Sequence, residues 1–512
     1  MANDRTPPWE SFPPQEEKAR LDLYGLYKRA LLGDRGAFVN QMGGKKHSSE
    51  LSKVKNAAAR AMEGQGTALN YLKTVATTYA SKMFGTDPLY RAGDADSDEQ
   101  VRLDKIVTDN TLNNTNIEQA ISSVALGGAV YRTRWGRMRN WREPMPIIEA
   151  IPVQNYFAVL SPDNIKDNAA AALAFSFDMG DETYVKLEKH EPYQITHELW
   201  KLDGDQFGHT VPFSAFDMFA GLDAGADEGG PKNVKRDGDA IIEETGYSGL
   251  FVEYVPNFVL PDEYYGHSDY DNLMMIQRDI NETSNGILQV ILKHIDPKLI
   301  VPPGTLQYDE KRDTWYVVKE DLGVVEVPKD VGAVLPRYVT WDAQLGAARA
   351  NMDALFESFM IIADISLPIL GITKYGTAES AAALELKMTQ TTDAVHRKRM
   401  YYDTALKNIL YAAQHLDVEY GGQPYEPQDV SITWPSPVPM DKVTETDMHA
   451  ARLGAGLESR RTAVAAVQKI AEDALDGELD EIANDRAASA TAFSGFGERV
   501  VTGDGGDAGA AG

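Results

Sequence analysis

From Leu21 to Val130 the apolar residues recur at steps of three and four, as in Leu69, Leu72, Val75, Ala76, Tyr79 and Met83. That is the period of an amphipathic helix, so the chain is expected to open in helices. Between Arg132 and Val259 the pattern changes to short strand-like runs, among them Ile147 to Ile151, Ala172 to Phe177 and Ile195 to Leu202. Turn signals such as Asp203-Gly204-Asp205 separate them and predict antiparallel hairpins. The stretch from Gly221 to Asp239, rich in Gly, Asp and Lys, reads as a mobile loop inside this region.

After Gly266 the helical period returns. A helix from about Asp269 to Ile295 places Leu273, Ile276, Ile280, Ile287 and Ile291 on one stripe and would be roughly 40 Å long. A strand-rich insert follows, with Lys298 to Val301, Trp315 to Val318, Val324 to Val327 and Arg337 to Val339 as strands, punctuated by Pro302, Pro303, Gly304, Pro328 and Pro336. It reads as a small β module on a stalk. A second helix, about Asp342 to Ile365, aligns Leu345, Ala348, Met352, Leu355, Phe359 and Ile362 in a narrow seam suited to side-by-side packing. Pro368 and Gly371 then break the chain in an apolar segment, Leu367 to Thr377.

A third long helix is predicted from about Ala378 to Leu416, roughly 58 Å, with Leu384, Met388, Thr391, Val395, Tyr402, Leu406, Ile409 and Ala413 on one face. The strand Val430 to Trp434 and the proline-rich Pro435 to Pro439 interrupt before a helical region from Val443 to about Ala492. Gly503 to Gly512 is low-complexity and reads as disordered. No internal repeat is visible. The fold class expected from this order is α+β.

Composition narrows the classes. At 512 residues the chain exceeds one average domain, and 43% apolar with 25% charged residues is ordinary for a globular protein. No run is long and apolar enough to span a membrane, and the first residues show no signal-peptide pattern, so a soluble, non-secreted protein is expected. There are no cysteines, which excludes disulfides, thiolate metal sites and a cysteine nucleophile. With 77 acidic and 50 basic residues the net charge is -27. Such a surface repels phosphates, so tight DNA binding by counterion release is not expected.

Three segments carry a family resemblance. Tyr264-Tyr265-Gly266-His267-Ser268-Asp269 resembles a Gly-x-Ser-Asp entry into a long helix, and Ser268 or Asp269 is a sound N-cap by its own chemistry. Gly376-Thr377-Ala378-Glu379-Ser380-Ala381-Ala382-Ala383-Leu384 resembles a small-residue entry into a spine helix, with Ser380-Ala381 where Ser-Gly is frequent. Ile432-Thr433-Trp434-Pro435-Ser436-Pro437-Val438-Pro439-Met440-Asp441, followed by Gly454-Ala455-Gly456-Leu457-Glu458-Ser459, resembles a strand and crown entry. In this order and spacing, over roughly Ser248 to Ile470, they resemble the portal (head-tail connector) family of tailed bacteriophages, in its long-tailed branch.

The resemblance implies a portal fold: an N-terminal arm (1–20), a wing (21–265), a first stem helix (266–295), a clip (296–341), a second stem helix (342–365), a tunnel loop (366–377), a spine helix (378–416), a wing strand return (417–441), a crown (442–492) and a disordered tail (493–512). It implies a homo-oligomeric ring of twelve subunits at one capsid vertex of the virion, assembled in the host cytoplasm. The partners implied are viral double-stranded DNA in the channel, the terminase large subunit, head-completion or adaptor proteins, and the major capsid and scaffolding proteins. No membrane, cofactor, metal or catalytic residue is implied. The tunnel-loop residues would be Leu367, Ile369, Leu370, Ile372, Lys374 and Tyr375, and Lys311, Arg312 and Lys319 would serve partner docking on the clip. An acidic ring suits a conduit, because DNA must slide without sticking.

Chemical motifs are weak beside this. There is no Gly-x-x-x-x-Gly-Lys-[Ser/Thr] loop, so energy for packaging must come from a partner. His267-Ser268-Asp269 contains the residue types of a hydrolytic triad, but neighbours on a chain point apart. Ser52-Lys53-Val54-Lys55 fits a Ser-x-x-Lys pattern without its companions and reads as a solvated helical face. His190 and His197, with Glu188, Glu191 and Glu198, would form a metal site only if two strands faced each other; surface polar residues on a hairpin are expected. His396-Arg397-Lys398-Arg399 with Tyr401-Tyr402 spreads around a helix and suits a subunit interface better than nucleic acid. Gly454-Ala455-Gly456 reads as a turn between helices. The alternatives are a hydrolase or metal-dependent enzyme at His190 and His197, or another virion structural or adaptor protein.

Overall fold

A computed structural model describes residues 6–39, 69–94, 97–222, 228–295, 298–300, 306–309, 314–317, 337–339, 345–372, 381–437, 442–468, 475 and 477–485. It is a mixed α+β chain that divides into two compact units, Met1–Pro437 and Val438–Gly512.

The first unit opens in helices α1 (Lys18–Leu31), α2 (Arg35–Val39), α3 (Tyr71–Phe84), α4 (Asp98–Asp109) and α5 (Leu112–Leu126). The periodic residues Leu72, Val75, Ala76, Tyr79 and Met83 of α3 are all buried, as their spacing requires. Two strands lie within the region read as helical. One is the short β1 (Leu89–Arg91), and the other, β2 (Gly128–Gly136), begins before Val130. β2 pairs with β3 (Met145–Ile151), and β11 (Val252–Pro256) pairs with β2 on its other side, giving a three-stranded sheet in the order β11-β2-β3.

The larger sheet joins β4 (Tyr156–Leu160), β5 (Asn168–Met179), β6 (Glu182–Glu191), β7 (Gln194–Asp203), β10 (Ala240–Glu244) and β9 (Val234–Asp237) in that spatial order, with β8 (Gln206–Thr210) also on β7. The predicted hairpins at Ala172 to Phe177 and Ile195 to Leu202 are thus present. The segment read as a loop from Gly221 to Asp239 contains β9, whose four residues are all exposed; an edge strand without a buried face leaves no apolar alternation to detect. One face of the sheet buries Phe157, Ala172, Ala174, Val185, Leu187, Trp200 and Leu202, and Trp9, Phe12 and Phe207 pack against them.

Helices α6 (Tyr270–Ile295), α7 (Leu345–Ile362) and α8 (Ala381–Glu419) follow within a residue or a few of expectation. Between α6 and α7, β12 (Lys298–Ile300) pairs antiparallel with β15 (Arg337–Val339), and β13 (Leu306–Asp309) pairs with β14 (Thr314–Val317). β16 (Ser431–Thr433) returns to pair with β1. The main core is built from α1, α3, α5, the three-stranded sheet, the first half of α6, the last turn of α7 and the middle of α8.

The second unit contains α9 (Lys442–Gly454) and α10 (Arg460–Gln468), packed on each other. Gly456 has φ +71°, so the Gly454-Ala455-Gly456 stretch is the turn its composition predicts. His449 Nδ1 meets Glu458 Oε1 at 2.8 Å across that turn.

Candidate functional site

The long helices converge on one junction, and the Gly-x-Ser-Asp segment builds it. A Cβ on Gly266 would sit 2.3 Å from the carbonyl oxygen of Gly127, and a Cβ on Gly127 would sit 2.3 Å from that of Gly266. Two backbones cross there, so neither position accepts a side chain. Ser268 follows: its Oγ donates to the carbonyl of Ala125 at 2.7 Å and accepts from the amide of Tyr270 at 2.9 Å. One hydroxyl therefore satisfies an orphan carbonyl at the end of α5 and an orphan amide at the start of α6. Asp269 accepts two bonds from Lys398 of α8, at 2.9 and 3.0 Å, and one from Asn257 at 2.7 Å. The His267 ring turns the other way, to Glu263 at 2.5 Å. The three residue types of a triad thus point to three different partners.

Further along α6, Gln277 exchanges hydrogen bonds with the backbone of Tyr71 and Leu69, and Asn281 accepts from Leu69. These i,i+4 amides tie the helix to the start of α3. Burial ends there. No residue of α6 from Glu282 to Ile291 is buried, and none of α7 from Leu345 to Ser358. The buried ends are the N-terminus of α6 and the C-terminus of α7, so the pair is antiparallel and its far half leaves the core. The expected seam of α7 is correspondingly uneven. Phe359 is buried, Met352 and Leu355 are half-buried, and Leu345 and Ile362 are 41% and 49% exposed. The cause is simple: toward its C-terminus α7 also meets Tyr71 of α3, which packs on Phe356 and Phe359, whereas none of its residues from Leu345 to Ser358 is buried.

At the exit of α7, Asp364 takes a left-handed conformation (φ +53°) and binds Gln390 and Arg397 of α8, each at 2.9 Å. The amide of Ser366 donates to Thr391 Oγ1 at 2.8 Å. Leu367–Leu370 is a 3-10 turn with Pro368 in its first positions and Gly371 closing it at φ +73°. Leu367, Ile369 and Leu370 pack against the main core, while Ile372 is 43% exposed. Lys374 and Tyr375 lie outside the described residues, as do Lys311, Arg312 and Lys319, and Ser52-Lys53-Val54-Lys55.

The basic run of α8 is placed differently from expectation. Arg399 is buried and donates to the carbonyls of Lys82, Met83 and Pro435, stopping the C-terminus of α3 with a cation over the ring of Trp434. Burial without a carboxylate lowers its pKa to about 10. Lys398 holds Asp269 and Arg397 holds Asp364. Arg397, Lys398 and Arg399 are therefore all engaged within the subunit.

His190 and His197 also require correction. They are buried, on the inward face of β6 and β7, in a cluster centred on Glu188. Glu188 accepts from Arg132 at 2.7 Å and contacts Lys186; Arg132 also binds Glu149 at 2.5 Å. His190 and His197 stand 3.6 and 3.8 Å from Glu188, and Glu243, 3.6 Å from His197, accepts from Tyr420 at 2.5 Å. The cations hold Glu188 well below the usual carboxylate range despite its burial, and desolvation lowers His190. Among the described residues no group of three or more His, Asp or Glu could hold a metal ion. No helix among them is long and apolar enough to cross a membrane.

Sequence reasoning missed Gly127, and it placed Thr391 and Lys398 on α8 without finding their partners Ser366 and Asp269. The one available signal was Asp269: an acid at a helix start inside an apolar region needs a cation, which periodicity does not locate. Comparison with protein-family models gives no match, and comparison with curated proteins gives none.

Proposed function

We propose that this chain is a portal subunit: it assembles into a closed ring at one capsid vertex, forms the channel for viral DNA packaging and ejection, and docks the terminase and then the head-completion proteins. The observation that carries this reading is the antiparallel pair α6 and α7, rooted in the body at Tyr270 to Asn281 and Phe359 to Ile365 and, among the described residues, free of buried ones from Glu282 to Ile291 and from Leu345 to Ser358. A helical stalk that carries a strand-rich insert and is followed, after the Leu367–Leu370 turn, by a 39-residue helix is mechanical architecture. Helices with exposed apolar residues such as Met275, Ile361, Ile362, Leu386 and Met400 also suit lateral packing between copies.

In this reading the 366–377 tunnel loop meets DNA through its exposed residue Ile372, with its root seated on α8 through Ser366 and Thr391 and with Leu367, Ile369 and Leu370 held against the core. The clip charges Lys311, Arg312 and Lys319 make motor docking salt-sensitive. Electron microscopy of the purified protein tests the proposal. Rings with a central hole are expected, and a compact monomer at micromolar concentration would overturn it.

A further inference from the structure

A cleft of about 730 Å³ runs beside β11, walled by residues 166–169, residues 248–250, Tyr264, and Tyr401 and Asn408 of α8. β11 is the edge of its sheet. Thr133 donates to the carbonyl of Phe251 at 2.8 Å and Asn257 donates to that of Gly127 at 3.0 Å. These bonds set the alternation, so the peptide groups of Val252 and Tyr254 point away from β2. Glu253 belongs to the cleft wall. No cation pairs with it among the described residues; Asn408 supports it, and burial raises its pKa to about 7. Lys166, on the same wall, is engaged by the carbonyls of Leu260 and Glu263. Asn168, another wall residue, has its Oδ1 buried without a hydrogen-bond partner. The cleft thus offers a carboxyl, outward peptide carbonyls and the rings of Tyr254, Tyr264 and Tyr401. Acceptors beside aromatic faces are what a guanidinium requires.

The same sheet carries such groups at the tip of the β2–β3 hairpin. Arg137, Arg139 and Arg142 are exposed there. Arg137 donates to the carbonyl of Trp141, whereas Arg139 and Arg142 have no ion pair or hydrogen bond among the described residues. Within the strands, by contrast, Arg132 and Arg134 are both paired with Glu149. In a chain of net charge -27, unpaired exposed cations are the natural means by which one acidic copy approaches another.

We propose that an arginine of the 137–142 hairpin tip of one copy enters the Glu253 cleft of a second copy, an inference that rests on the ring reading above. Donor and acceptor are different surfaces, so the contact is heterologous and propagates around a ring.

Two measurements test it. Glu253→Gln and the pair Arg139→Glu with Arg142→Glu should each raise the concentration at which rings form, read by mass photometry, at least tenfold. Combined in one chain, they should do no more than either alone. Losses that multiply, or rings unaffected by both changes, would overturn the pairing while leaving the ring intact. The chain has no cysteine, so Glu253→Cys chains mixed with Arg139→Cys chains carry the only thiols. A short bis-maleimide should join them into a heterodimer, and not join Glu253→Cys to a Leu32→Cys control. Absence of that cross-link in a preparation with visible rings refutes the cleft. Absence of rings from the unsubstituted chain refutes the portal reading instead.

Discussion

Replacing Glu188 by Gln removes one charge and almost no volume from the cluster beneath the large sheet. The Glu188 side chain is 4% exposed and that of Arg132 13%, so water does little to screen the pair. At an effective dielectric near 20, unit charges about 4 Å apart interact by roughly 4 kcal/mol. A neutral hydrogen bond from Arg132 to the new amide would retain about 1 kcal/mol. The net loss is about 3 kcal/mol, at the lower end of the range for breaking a buried pair because Arg132 keeps Glu149 as a partner. Local opening should therefore become roughly a hundredfold more frequent, at about 1.4 kcal/mol per tenfold. Amide hydrogen exchange of Leu187 to His190 and Thr196 to Glu198 reads this directly, without requiring the whole chain to unfold in one step. A change below about fivefold in those amides would refute the claim that Glu188 is the centre on which the cluster balances.

Acidification should destabilise the same sheet. His190 has a folded pKa below its usual 6.5, so the unfolded chain binds its proton first and stability falls as pH drops below about 6.5; Glu188, also lowered, extends the loss below about 4.5. Thermal melts at pH 7.5, 6 and 4.5 check the order. Glu253 has the opposite sign, since its folded value near 7 lies above 4.5. In dissociated subunits Glu253→Gln should raise stability at pH 8, with the gain vanishing below about pH 5. Leu355→Asp should block ring formation, because a carboxylate in the α6–α7 seam lacks a partner; normal rings by electron microscopy would remove that seam from the assembly. Deleting Gly371 to Gly376 should leave soluble rings and proheads but abolish DNA packaging or retention, and full packaging would exclude a gating role.

The long helices were legible because their cores are one-sided: Leu273 and Ile280 in α6, and Val395, Tyr402, Leu406 and Ile409 in α8, are buried as their spacing requires. The His190 and His197 cluster was not. Lys186, Glu188 and His190 alternate with Val185 and Leu187, a pattern that ordinarily marks a solvated face. What reverses it is Arg132, brought over the strand from 56 residues away, and no local periodicity encodes that compensation. The helix junction was half legible. Ser268 was visible as a cap, but Lys398 and Gly127 complete it from distant parts of the chain.

The pairing of β1 with β16 bears on how the protein is made. Ser431 meets Arg91 across 340 residues, and Arg102 meets Asp417 across 315. At roughly 5 to 20 residues per second, the ribosome needs on the order of 20 to 70 s to deliver the partner of β1 after β1 itself has emerged. For that interval the early helices lack α8 in their core, and Leu89 to Arg91 is an unpaired strand edge in a crowded cell. The nascent chain is therefore a substrate for chaperones until nearly its last hundred residues, and a truncation before Ser431 should yield aggregate, not a shorter domain.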